Sequence, residues 1–305
     1  MSEHALVIGE ALVDVVRSTD GATAAHPGGS PANVALGLGR LGRTVQLLTS
    51  LGDDDNGRLV RDHLLASGVD LAGGTPAAFT SVATAYLDAA GVATYEFDLT
   101  WSLANDAVTA PSPLVVHTGS IAAVLEPGGS TVKHLLREAR HYATITYDPN
   151  ARPSLMGNPA DALTRIETIV ALSDVVKVSD EDLAWLHPGL EPFAVARRWI
   201  DLGAAVVIVT LGSEGSVAVT AHATVTISAV AVTVADTVGA GDSFMSGLID
   251  GLWDAGLLGA THREELANAP AQVWESVLHR CAHIAGITVS RAGANPPTAA
   301  ELDVP

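Results

Sequence analysis

The sequence predicts an α/β fold: a doubly wound, mostly parallel sheet covered by helices on both faces, with a small β-sheet set apart from it. Three observations predict it. Short, uninterrupted apolar and β-branched runs alternate with longer amphipathic ones, as parallel strands buried between covering helices do. Two early segments instead alternate apolar with polar residues, the mark of strands with one wetted face. Finally, 48% of the 305 residues are hydrophobic, enough to bury a core without metal or disulfide staples.

In chain order, Ala5–Gly9 is an apolar first strand, followed by the alternating segment Leu12–Val16. Pro31–Leu41 has helical periodicity, Thr44–Ser50 is a strand, and Gly57–Ser67 is a second helix. Val82–Phe97 alternates again, and Asp88-Ala-Ala-Gly91 is a natural hairpin turn between its halves. Strands follow at Leu114–Thr118, Ala143–Asp148, Val175–Val178, Ala205–Leu211, Ser216–Val219 and Thr224–Ile227. Helices fall at Ser130–Arg140, Pro159–Leu172, Glu191–Leu202 and Ala240–Trp253, with a long last one ending near Thr288. No repeat or linker interrupts this rhythm. One domain over residues 1–305 is expected, with lid strands from about 10–27 and 79–102 inserted in it.

Composition excludes several classes. With 16 Lys+Arg against 34 Asp+Glu, the formal charge of −18 gives nucleic-acid phosphates and anionic lipid little to hold. The two lysines, Lys133 and Lys177, both follow valine, so no Gly-Lys pair exists for a P-loop. Cys281 is the single cysteine, which suits a reducing cytoplasm. The N-terminus lacks a basic region and its apolar run is broken by Glu10 and Asp14, so it reads as a strand and not a signal peptide. No apolar run reaches membrane-spanning length.

The stretch richest in chemistry is Ala235-Asp-Thr-Val-Gly-Ala-Gly-Asp-Ser-Phe244. Gly239, Ala240 and Gly241 are small and a helix starts at once after them. Such a turn exposes several backbone N–H groups, and the helix dipole adds positive potential: an anion hole. Asp242 within it can accept a proton from a bound hydroxyl, or simply cap the helix. Upstream, Gly28-Gly29 permits close backbone approach. Asn33 has both a donor and an acceptor for hydroxyls, or caps its helix. Asp14 is the lone charge in an apolar run and can bridge two hydroxyls.

Asp236–Asp242 resembles the C-terminal signature of the ribokinase-like (phosphofructokinase-B-type) carbohydrate kinases, and Gly28–Gly37 resembles the N-terminal one. The likeness runs from about Val7 to Pro296, nearly the whole chain. It implies a ribokinase-like three-layer fold with a β lid, and ATP and Mg²⁺ as cofactors. By the same resemblance Asp242 is the general base, Gly239, Ala240 and Gly241 form the anion hole, and Asp14, Gly28, Gly29 and Asn33 bind sugar.

Val209–Gly215 is similar to the family's nucleotide-contacting stretch, through Thr210, Gly212 and Gly215, and is equally well described as a β-hairpin. Lys177 to Asp182 resembles the Asn-x-x-Glu element that organises Mg²⁺ through water, with Ser179 for Asn and Asp182 for Glu. A capping Ser before first-turn acids describes the same residues. Asp236, Val238, Thr288, Arg291 and Gly293 match a K⁺ site in similar kinases, although Pro297 stands where a serine contributes in ribokinase; Asp236 capping its own turn is the alternative. Glu10–Asp14, Ser30–Asn33 and Asp148–Pro153 look closest to fructokinases. Arg152 in the last run is one of few cations available to an anionic group, and Phe97, Phe79 and Trp101 are candidates for the sugar-facing wall.

Three patterns are set aside. Gly37-Leu-Gly-Arg-Leu-Gly42 follows a helix and precedes a strand, the reverse of the dinucleotide fingerprint. His279 and His283 flank Cys281 at metal-ligand spacing with no further cluster to complete a zinc site. Asp53-Asp-Asp55 is a solvated turn and helix start.

The expectation is an ATP-dependent cytoplasmic sugar kinase, with D-fructose first among acceptors and a homodimer formed through the lid. Ketodeoxygluconate kinase or another sugar or nucleoside kinase is the rival within the class. A sugar-binding regulator without turnover is the rival outside it, opposed by the intact Asp242; a dehydrogenase is weaker still.

Overall fold

The computed structural model describes the chain except residues 1–2, 20, 74–75, 89–92, 105–111 and 303–305. Its backbone is a nine-stranded sheet. The strands are β1 (Ala5–Ile8), β4 (Val45–Leu48), β5 (Val69–Ala72), β8 (Val115–Gly119), β9 (Thr144–Asp148), β10 (Val175–Ser179), β11 (Val206–Thr210), β12 (Ser216–Thr220) and β13 (Thr224–Ile227). The remaining strands, β2 (Leu12–Arg17), β3 (Thr23–Gly28), β6 (Val82–Leu87) and β7 (Ala93–Asp98), form a separate four-stranded sheet.

In the large sheet the order is β13-β12-β11-β10-β9-β8-β1-β4-β5, parallel except for the antiparallel β11-β12-β13 edge. Side chains of β1 alternate between two cores. Leu6 and Ile8 join one with α3 (Gly128–Ala139), α5 (Pro159–Val170) and α7 (Pro192–Asp201). Ala5 and Val7 join the other with α1 (Ser30–Arg40), α2 (Asp55–Leu65), α8 (Ala240–Asp254) and α10 (Ala271–Val289). Helices therefore cover both faces, and a strand period of two feeds both layers from one backbone. The fold is ribokinase-like, three layers with a small second sheet. Among the described residues no helix is long and apolar enough to cross a membrane.

Several expectations shift here. β5 escaped the sequence reading because its four residues include Asp70 and are too few to show a period. So did the short helices α4 (Pro153–Met156), α9 (Arg263–Ala267) and α11 (Ala299–Leu302), whereas α6 (Asp180–Leu186) begins at the capping Ser considered in the sequence. α2 starts two residues earlier than periodicity suggests because Asp54 caps it, accepting the Gly57 N–H at 2.7 Å. Asp54 also accepts from the Thr80 N–H and hydroxyl, tying the α2 start to the entry of β6. The Asp53–Asp55 run is thus a cap between two exposed acids. From Ala89 on, the turn expected at Asp88–Gly91 lies outside the described residues.

α8 is fixed before any chemistry is considered. Its Asp250, fully buried, meets Arg43 Nε at 2.6 Å and Arg280 Nε at 2.5 Å, which binds it to the α1–β4 turn and to α10. On α10, Cys281 packs into the α8 interface beside Gly247, whereas His279 and His283 are exposed, so these three do not share a face. Gly37 and Gly39 admit close packing against Ser246 and the Ser67 carbonyl, which accounts for the misplaced glycine motif.

Candidate active site

β1 and β8 lie side by side, but the chain leaves them in opposite directions, β1 toward β4 and β5, β8 toward β9, β10 and β11. At such a switch point the loops diverge and leave a crevice beyond the carboxyl ends of the strands. Glu10 is buried there, its Oε2 accepting the Ala122 N–H at 3.1 Å. Burial pushes its carboxyl from 4.5 up to about 7, against hydrogen bonds from Ser120 and Ala122 and the charge of Arg152.

Two helix N-termini meet in this crevice. Gly29 (φ 103°) precedes α1 and Gly239 (φ 76°) precedes α8, both in the left-handed region that favours glycine. Asp242, in the first turn of α8 and only 7% exposed, is held by α1: Ser30 Oγ donates to its Oδ1 at 2.7 Å and Asn33 Nδ2 to its Oδ2 at 2.8 Å. Asn150 Nδ2 adds a longer approach to Oδ1 at 3.5 Å. The two sequence signatures thus converge on one carboxylate.

Behind it sits the buried pair Lys177 Nζ–Asp148 Oδ2, 2.9 Å apart. Burial pushes the Asp148 carboxyl up to about 6 against the pull of Lys177. Burial would discharge Lys177, but Asp148, with Asp182 and Asp242 nearby, holds its ammonium above the usual range. A Cβ on Gly241 would stand 2.9 Å from Lys177 Nζ, so the ammonium lies against the glycine turn. Backbone N–H groups, a helix dipole and an ammonium converge on one concavity, a setting for a phosphoryl group.

Over residues 2–300 the sequence matches the pfkB family carbohydrate kinases. The chain belongs to that family. A fructokinase of Rhizobium leguminosarum bv. trifolii is 36% identical over 261 residues, covering 81% of this chain and 79% of that protein. A Klebsiella pneumoniae fructokinase is 32% identical, covering 81% and 83%. The crystal structure of a Xylella fastidiosa fructokinase with bound ATP superposes with a TM-score of 0.87 at 26% identity, covering 95% of this chain and 93% of that one. The protein is a carbohydrate kinase, and its other predicted site residues fall as follows.

In the kinase, Asp14 stands on β2 opposite His26, exposed at the mouth of the crevice. The protein crowded around it raises its carboxyl, opposed by Arg152 and His26 and reinforced by Asp242. A Cβ on Gly28 would stand 2.0 Å from Asp14 Oδ2, so a side chain there would displace that carboxylate. Arg152 folds back onto its own loop, Nη1 donating to Asn150 Oδ1 at 2.6 Å and to the Ala151 carbonyl at 3.0 Å. Phe97 is half-buried on β7 and stacks on Tyr95, ring centroids 6.0 Å apart. Trp101 does not line the crevice: it is buried in the core against Gly128, its indole N–H donating to the Ala122 carbonyl. Phe79 is half-buried at the entry to β6, beside Gly52.

Asp182, expected to organise Mg²⁺ through water, has protein partners of its own. Its Oδ1 accepts the Ala151 N–H at 3.0 Å and its Oδ2 faces the Ser179 N–H at 3.5 Å, while Ser179 Oγ accepts the Asp182 N–H at 3.0 Å. Ser179 and Asp182 are therefore the capping box of α6. The residues of the K⁺ expectation are bonded to one another as well. Asp236 Oδ1 accepts the Val238 N–H at 3.0 Å and Oδ2 the Gly293 N–H at 2.8 Å, and these bonds hold its carboxyl below the usual range. The Thr288 carbonyl accepts the Arg291 N–H, and the Arg291 side chain pairs with Glu301. These bonds staple the loop before α8 to the loop after α10.

Thr210 ends β11, and Gly212 (φ 54°) and Gly215 (φ 110°) turn the chain into β12, so the hairpin description holds for this stretch. Sequence reasoning did not assign Glu10, Ser30, Asp148 or Asn150 a role of its own. Ser30 and Asp148 lay inside quoted motifs, but nothing local marks a serine as the partner of an aspartate two hundred and twelve positions away.

Proposed function

We propose that the protein is an ATP-dependent fructokinase that converts D-fructose to fructose 6-phosphate, with Asp242 as general base. The observation carrying this reading is the buried Asp242 at the head of α8, with the Lys177 ammonium set against the adjoining glycine turn. Asp14, Gly28, Gly29 and Asn33 hold the sugar at the lip of the crevice. The acceptor hydroxyl gives its proton to Asp242 as its oxygen bonds to the γ-phosphorus. The bond from that phosphorus to the bridging oxygen breaks, and its electron pair leaves with ADP.

The N–H groups of Gly239, Gly241 and Asp242, together with Lys177, stabilise charge on the phosphoryl oxygens, while the Ala240 N–H closes the turn on the Thr237 carbonyl at 3.2 Å; positioning and electrostatics carry this kind of transfer. Mg²⁺, when bound, neutralises phosphate charge. Thr210, Gly212 and Gly215 present backbone to the nucleotide. The small sheet closes over the sugar as part of a single kinase domain and excludes water, a competing acceptor. Its exposed aromatic edge, Tyr86 and Tyr95, would meet a second copy in a homodimer.

The 36% identity to a fructokinase and the Glu10–Asp14, Ser30–Asn33 and Asp148–Pro153 runs favour fructose as acceptor. The test is ADP release across a panel of fructose, ribose, ketodeoxygluconate, fructose 6-phosphate and adenosine. Fructose should give the highest kcat/KM. A higher value for another acceptor moves the assignment to it, and no turnover with any member defeats the fructokinase reading.

A further inference from the structure

We propose that Ser30 is a positioning residue for the Asp242 base, acting through that carboxylate and not on the sugar; this rests on the reading of Asp242 as the base. Ser30 is the first residue of α1, after the N-cap Gly29, which has no side chain to serve the orphan N–H groups. Here no side chain caps α1. The Ser30 hydroxyl instead spends its single proton on Asp242 Oδ1, across a gap of 212 positions and with both residues only 7% exposed.

Geometry gives this bond its consequence. Each Asp242 oxygen receives one α1 donor, Ser30 on Oδ1 and Asn33 on Oδ2. Rotation of the carboxylate about its Cβ–Cγ bond would break both, so the pair fixes the plane of the base. A carboxylate oxygen has two lone-pair sites; Oδ1 is also approached by Asn150 at 3.5 Å, so the second site of Oδ2 is the one left to receive a hydroxyl proton. Misplacement of a reacting group by about 1 Å costs on the order of a hundredfold in rate. The frame holding the pair is stiff: further along the two helices Gly37 meets Ser246 so closely that a Cβ would stand 2.4 Å from its hydroxyl. Removal of the Ser30 hydroxyl therefore frees the carboxylate to turn without allowing the helices to close up. Asn33 is the less clean probe, because the sugar shares it in the proposed mechanism.

The experiment is a double-mutant cycle on kcat and on the KM of sugar and ATP, using Ser30→Ala, Asp242→Asn and both together. Transfer is followed with γ-³²P-labelled ATP so that slow rates are readable, and thermal melts check each fold. Ser30→Ala should lower kcat about tenfold, the size of a charge-assisted hydrogen bond, with each KM within about twofold of wild type. Added to Asp242→Asn it should do nothing further, because there is no base left to orient. An equal loss in both backgrounds, or a rise in sugar KM, overturns the proposal by making Ser30 structural or a sugar ligand. If Ser30→Ala does not fold, Ser30→Gly carries the same cycle. Near wild-type turnover of Asp242→Asn removes the base assignment and this proposal with it. An inactive Asp242→Asn beside an unaffected Ser30→Ala removes the Ser30 role alone.

Discussion

The crevice at the β1–β8 switch point and the small lid sheet are built on opposite principles. In the crevice Glu10, Asp148, Lys177 and Asp242 are all buried, and each is held by named donors or charges from other elements. In the lid, β2 and β6 bury Val13 and Ala83, but β3 is exposed over its first four residues, Tyr95 is 61% exposed, and the aromatic contacts lie at the surface. Arg17 lies over the Tyr86 ring at 5.5 Å, Tyr86 OH donates to Glu96 at 2.9 Å, and Tyr95 stacks on Phe97. Solvent screens such contacts, and they can break and re-form. Proton transfer needs fixed geometry, whereas covering a sugar needs a surface that opens. The division between rigid and exposed regions follows that division of labour.

The largest expected effect tests the crevice half. Asp242→Asn should lower kcat by at least about a hundredfold, the lower end for general acid–base catalysis, with sugar KM within a few-fold. The amide keeps the shape and loses the basicity. Near wild-type turnover, measured as ADP release at saturating sugar, would show that buried fixation at this carboxylate serves structure instead.

The second expectation concerns stability. Lys177→Met leaves Asp148 buried without its partner, and breaking a buried pair from one side costs about 3–5 kcal/mol. Urea unfolding should show that loss, while Tyr95→Ala in the lid should stay within about 0.5 kcal/mol of wild type. Equal losses in the two variants would erase the contrast between the regions.

How much of this was legible in the sequence follows the same boundary. Strand and helix order could be read because β1, β8, β9, β10 and β11 are short runs dominated by apolar and β-branched residues, as burial on both faces favours. Asp242 and the glycine turn could be read because a positive φ at Gly239 and an acid in a first helical turn leave local marks. Partnerships could not. That Ser30 donates to Asp242, or that Asp182 is spent on the Ala151 N–H, depends on which helix ends meet, and that is a property of the assembled sheet. Trp101 was misjudged for the same reason: an aromatic after a lid strand can face sugar or core, and only packing against Gly128 decides it.

A smaller effect sharpens the lid half. Phe97→Ala should raise sugar KM about fivefold, the worth of a half-buried aromatic contact, and leave kcat within about twofold, the signature of binding lost equally in ground and transition states. Initial rates across a fructose series separate the two constants. A fall in kcat with KM unchanged would place Phe97 in the chemistry, and the lid would then share the work assigned to the crevice.

The last effect is one of slope, and it belongs to Glu10. Its folded carboxyl is raised from 4.5 to about 7 by burial, so between those values the folded chain keeps a proton that the unfolded chain has released. Stability from this group is therefore full below about 4.5 and is lost as pH rises toward 7. His117 works in the opposite sense. Burial, with Lys177 nearby, lowers it from 6.5 to about 3, so its contribution grows as pH rises through that interval. A raw stability curve mixes the two. The difference between Glu10→Gln and wild type does not, because His117 is common to both. Glutamine can still accept the Ala122 N–H but carries no proton to lose. Urea unfolding in a series of buffers should show the variant gaining on wild type steadily between pH 4.5 and 7, with a level difference on either side. A difference that stays level throughout would mean that Glu10 is not held protonated, and that the crevice tolerates a buried charge there as readily as the lid tolerates its exposed ones.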